Sequence, residues 1–141
     1  MRLKFILFFL LICSISFSQD INEIELIGTW KVENVTTNFS NVSKEQQQYI
    51  DTLKTAFKDA TFEFKKDGYF NIDIDLEDIS QKMKNAFWRF DHSKLKVTIV
   101  DWKDKDLDEP SWGWPIIISE KEGKTFFLLM ESQFNLHVTK N

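Results

Sequence analysis

From residue 61 onwards, apolar residues recur at every second position in short runs separated by turn residues, and this period of two commits most of the chain to β-strands. Residues 61–65 place Phe62 and Phe64 on one side, Lys66-Asp67-Gly68 supplies turn chemistry, and residues 69–76 return with Phe70, Ile72, Ile74 and Leu76 in phase. In a second hairpin Ala86, Trp88 and Phe90 share a face, Asp91-His92-Ser93 turns, and Leu95, Val97 and Ile99 lead out towards Trp102. Residues 114–120 pair with residues 124–131 across Lys121-Glu122-Gly123, and residues 133–140 close the chain with Phe134, Leu136 and Val138 alternating with polar residues. An opening strand over residues 24–37 brings the total to about eight.

One segment breaks the period. In residues 43–58, Ser43 and Gln46 form a capping box and Tyr49, Ile50, Leu53, Ala56 and Phe57 fall on a single helical stripe. A shorter helical turn is predicted over residues 78–83, with Ile79 and Met83 one turn apart. The fold class is therefore all-β: an antiparallel up-and-down barrel of about eight strands, with one amphipathic helix between strands one and two. Closure removes the exposed edges that an open sandwich, the structural alternative, would keep. Ile116-Ile117-Ile118 and residues 126–130 are apolar on both faces of their strands, so either the helix or a partner chain must cover the outer face there.

The N-terminus has a different character. Arg2 and Lys4, the apolar run of residues 5–12 and Ser16-Phe17-Ser18 before Gln19 follow the order of a secretory signal peptide, with cleavage expected after Ser18. The apolar run, interrupted by Ser14 and Ser16, is too short to span the hydrocarbon core, which takes roughly 20 residues, so no transmembrane span is expected. Cys13 loosely resembles the acylated cysteine of a lipoprotein signal, but Ile12 stands where that signal takes a small residue, which argues against a lipid anchor. Residues 19–141 are then one exported domain, periplasmic or secreted, without cysteine and therefore without disulfides or thiolate chemistry. Cleavage removes two of the 18 basic residues and none of the 22 acids, taking the net charge from −4 to −6. That sign speaks against nucleic acid as a partner.

Gly28-Thr29-Trp30, at the start of the first strand, resembles the Gly-x-Trp signature of lipocalins, in which the tryptophan plugs the closed end of a barrel. A following helix, a Phe-x-Phe strand with an Asp-Gly turn and further hairpins extend the resemblance to lipocalin-like domains of bacterial envelope proteins over nearly all of residues 19–141. The resemblance implies an eight-stranded barrel with one open end, a central cavity for small apolar molecules and no catalysis. Lipocalins also place an Arg or Lys after the last strand, over the signature tryptophan, and Lys140 is the residue near that position.

The inward-facing candidates for lining a ligand cavity are Phe62, Phe64, Phe70, Ile72, Trp88 and Phe90, and the same side chains could equally fill the barrel as core. Arg89, between Trp88 and Phe90, falls on the opposite face, where pairing with a surface acid is expected. Asp104-Lys105-Asp106-Leu107-Asp108 has the opening spacing of a calcium loop, but Glu109 stands where the turn requires glycine and Pro115 where the bidentate glutamate belongs. Asp73, Asp75, Glu77 and Asp78 read as a solvated surface cluster. His92 and His137 lack the spacing of a metal pair, and no nucleophile elbow, phosphate loop or dinucleotide fingerprint occurs. No catalytic residue, metal or cofactor is expected. Two functions remain open: a non-catalytic binder of a small hydrophobic molecule, or an envelope interaction or scaffold domain with a filled barrel, self-associating or meeting a protein partner through its apolar strand faces.

Overall fold

A computed structural model describes residues 21–141, so the reading of residues 1–18 as a leader, with Cys13, lies outside the described residues. The described residues open with helix α1 (Glu23–Leu26) and continue through β1 (Gly28–Thr36), α2 (Lys44–Phe57), β2 (Thr61–Phe64), β3 (Tyr69–Asp73) and α3 (Glu77–Lys82). It then runs through β4 (Ala86–Asp91), β5 (Lys96–Asp101), a 3-10 turn (Trp102–Asp104), β6 (Gly113–Lys121), β7 (Lys124–Leu129) and β8 (Phe134–Lys140). Each strand pairs antiparallel with the next in sequence, and β8 returns to β1, closing an eight-stranded up-and-down barrel.

Alternation sets what faces inward. Phe62 and Phe64 on β2 pair with Ile72 and Phe70 on β3, and all four are buried while their neighbours Glu63 and Asn71 are not. Ile116, Ile118, Phe127, Leu129, Leu136 and Val138 continue the same core from the other half of the barrel. Ring centroids pack at 5.3 Å for Phe64–Phe70, 5.4 Å for Phe64–Trp88, 5.7 Å for Phe62–Phe127 and 5.9 Å for Phe64–Phe127. These are the spacings of interlocked aromatic side chains.

The closed end is built around Trp30. Its indole Nε1 donates to the Leu26 carbonyl at 2.9 Å, and its ring packs 5.5 Å from Phe127. Lys140 Nζ lies 5.7 Å from the Trp30 ring centroid and donates to the Glu25 carbonyl at 2.7 Å. The lysine thus ties α1 to the plug and places a cation over the indole. Gly28 sits at φ 136°, a backbone angle that favours glycine, and the Lys140 stem passes through the space a Cβ would take, its Cε 2.7 Å from that position.

Three segments depart from the sequence pattern. Residues 24–26, expected as the start of the first strand, belong to α1 instead, because the Asn22 side chain accepts from Glu25 N and caps a helical turn. β3 ends at Asp73 rather than at residue 76, since the chain peels away into α3, where Ser80 Oγ donates to the Ile74 carbonyl. The helix α2 lies over the barrel mouth and leaves the outer face of β6 and β7 open. Ile117 and Phe126 are half-buried there, while Leu128 and Met130 remain 36% and 47% exposed.

Candidate functional site at the barrel mouth

Helix α2 begins with the expected capping box: Ser43 Oγ accepts from Gln46 N, and the Gln46 side chain accepts from Ser43 N. Its amphipathic stripe turns Ile50 and Phe57 into the protein and keeps Leu53 and Ala56 partly buried. Its C-terminal end is tied to β1, where Asp59 N donates to the Val32 carbonyl at 3.1 Å and Val32 N to the Ala60 carbonyl at 2.9 Å. Asn41 and Asp59, which bracket the helix, hold φ values of 58° and 69°, left-handed positions that Asn and Asp tolerate better than most residues.

Two apolar clefts flank this helix. The first, about 560 Å³, lies between α2 and the start of β8 and is lined by Phe39, Val42, Ile50, Leu53 and Phe134, with Glu45, Gln46 and Ser132 at its edge. The second, about 400 Å³, lies between α2, α3 and the rims of β6 and β7. Its floor includes Phe57, Met83, Trp114 and Leu129, and Asp78, Lys82, Glu131 and Ser132 supply polar groups. Tyr49 and Leu53 line both. Apolar concave surfaces with a few polar groups are where small molecules bind.

A third cleft, of about 590 Å³, is bordered by charged side chains, with Asp73 and Asp75 of β3 and its flank, Asp51 of the helix, and Lys58 and Asp59 just beyond its end. Among the described residues no group of three or more His, Cys, Asp or Glu is arranged to hold a metal ion. Asp104 in the expected acidic loop staples that loop instead: its carboxylate accepts from the Ser111 amide at 2.8 Å and from the Ser111 hydroxyl. The Ser111 hydroxyl is the main cause holding the Asp104 carboxyl below its ordinary range. Arg89 faces outward, as alternation requires, but its Nη1 donates to the Leu107 carbonyl rather than to an acid, because residues 102–112 fold across the outside of β4 and β5.

The six candidate lining residues occupy two places. Phe62, Phe64, Phe70, Ile72 and Trp88 are buried and packed against one another or their neighbours, and none of them lines the clefts at the mouth. Trp88 also anchors its strand, with Nε1 donating to the Lys65 carbonyl at 2.9 Å. Phe90 is half-buried, 6.0 Å from the His92 ring, and borders a small polar cleft with Arg89 and Lys96. Of the residues lining the mouth, Tyr49, Ile50, Leu53 and Phe57 were legible as one helical stripe but not as a site. The signal was the helical stripe itself, which has no reason to be apolar unless it covers something.

The arrangement defines a closed antiparallel barrel with a packed interior and a helix-covered mouth. Compared with protein-family models, curated proteins and solved structures, the chain matches none of them. No described helix is long and apolar enough to cross a membrane.

Proposed function

We propose that this is an exported, non-catalytic, lipocalin-like protein that holds a small hydrophobic molecule at its barrel mouth, between helix α2 and the rim. The observation that carries this reading is the apolar cleft of about 560 Å³ between α2 and Phe134, with the second cleft on the other side of Tyr49 and Leu53. It shifts the binding surface from the barrel centre, which the aromatic side chains fill, to the mouth. The lipocalin reading is supported by the floor of the barrel, where Gly28, Trp30 and Lys140 meet as that family's signature residues do. Export is supported by the basic, apolar and small-residue order of residues 1–18.

Native mass spectrometry on gently purified protein, before and after organic extraction, tests the proposal. A retained, extractable apolar compound is the expected result. A bare chain that also fails to bind 8-anilinonaphthalene-1-sulfonate would overturn it.

The uncovered outer face favours a second reading. Leu128 and Met130 are exposed beside half-buried Ile117 and Phe126 on a face that no described segment covers. An interaction domain would use that face, and it need not exclude a ligand at the mouth.

A further inference from the structure

The mouth contains an aromatic seat that the protein fills with one of its own rings. Phe57, the last residue of α2, is 3% exposed. Its ring centroid lies 6.4 Å from Trp114 and 5.9 Å from Phe134, edge-on to the latter at 88°. Phe62 packs beneath, 6.0 Å from Trp114. Trp114, Phe134 and Phe62 come from the barrel wall, whereas Phe57 comes from the helix above it.

Helix α2 is hydrogen-bonded to the barrel near Phe57, through Asp59 and Ala60 to Val32, and its entry is held by packing, with the Phe39 ring 6.2 Å from Phe134 and Val42 against the core. Ile50 and Phe57 are its buried side chains, and among the described residues no hydrogen bond joins residues 37–42 to the barrel. Phe57 and Trp114 both line the cleft of about 400 Å³, while Phe134 lines that of about 560 Å³. The Phe57 ring therefore borders the smaller cleft and touches Phe134, which borders the larger, so its departure would open the seat to the smaller cleft.

We propose that Phe57 is an intramolecular occupant of this seat, and that a ligand's flat aromatic ring displaces it and takes its place on Trp114 and Phe134. The inference rests on the mouth being the binding site and adds the chemical class of the ligand. Edge-to-face and offset ring contacts favour an aromatic guest over a plain acyl chain. The groups at the outlet, Asp78, Lys82, Glu131 and Ser132, favour a guest with a polar substituent at its other end. Lys82 Nζ, already 5.1 Å from the centroid of Trp112, can meet an anionic substituent.

The test titrates 8-anilinonaphthalene-1-sulfonate, an anion with a flat naphthalene ring, into the full chain and follows it by NMR. In the wild type, cross-peaks from the probe to the rings of Trp114 and Phe134 are expected, with loss of those between Phe57 and Trp114. Phe57→Ala should bind at least tenfold more tightly, because no ring must leave. Ile50→Ser, which loosens the helix and keeps Phe57, should also gain affinity, and it decides the matter if Phe57→Ala does not fold. Near-UV circular dichroism identifies variants with native packing, which separates seat binding from probe uptake by a loosened core.

A gain in Phe57→Ala with the Phe57–Trp114 cross-peaks of the probe-bound wild type intact would mean an engineered void, since apolar cavities take up aromatic guests unaided, and would overturn the proposal. Probe contacts confined to the cleft walls would overturn the seat and leave the mouth reading standing. No binding to the wild type or to either variant would refute the seat, and the extraction experiment would then decide the mouth reading separately.

Discussion

Lys140 carries more of the closed end than its exposed position suggests. One ammonium satisfies a carbonyl of α1 and lies over the Trp30 ring, while its stem occupies the space that the absent Cβ of Gly28 leaves free. Lys140→Met keeps the stem and removes the charge, so it should destabilise the protein by about 1 kcal/mol, read as a lower urea midpoint with an unchanged slope. Asp104 offers a test by pH. Its carboxyl, ordinarily near 3.8, is lowered chiefly by the Ser111 hydroxyl and then by the Ser111 amide. A carboxyl lowered by folding stabilises the native state above its ordinary pKa, and that contribution disappears as pH falls through the folded value. Ser111→Ala should raise the Asp104 pKa towards the ordinary value in an NMR titration and flatten this part of the acid response below pH 3.8.

At the scale of elements, helix α2 depends on its first turn. Ser43→Ala removes the capping-box acceptor and should cost about 1 kcal/mol of helix stability. Faster amide hydrogen exchange confined to α2, with the barrel strands unchanged, is the expected signature. The helix, the hairpins and their inward faces were legible in the sequence because each rests on local periodicity and turn or cap chemistry. The short α1 was not, because Ile24 and Leu26 fit a strand as readily as a helical turn and only the Asn22 cap decides between them. The rim was not legible either. Phe57, Met83, Trp114 and Leu129 belong to four separate segments, and their meeting is a product of barrel closure that no local pattern encodes. Phe62, Phe64 and Trp88 could be read as inward-facing, but whether inward side chains fill a barrel or line a cavity depends on how the rings interlock across it.

Closure also governs the molecule as a whole, since β8 must find β1 from the opposite end of the fold. Contacts of such long sequence separation slow folding, so the barrel should form late relative to its hairpins. Among the described residues, the outer face of β6 and β7 departs from the rule of an apolar interior and polar exterior. Leu128→Glu leaves the interior untouched and should alter stability by no more than about 0.5 kcal/mol. If that face is an interface, the substitution should abolish self-association or partner binding in sedimentation velocity, whereas a wild type that stays monomeric and partner-free removes the second reading. The pairing of Trp30 with Lys140 and the bond from Asn141 N to the Thr29 carbonyl have another consequence. Both ends of the described chain leave from the plugged floor, so a tether fixed to either one would present the mouth outward, and a short linker joining them would permit the chain to be cut open at the Gly123 turn with every strand keeping its neighbours.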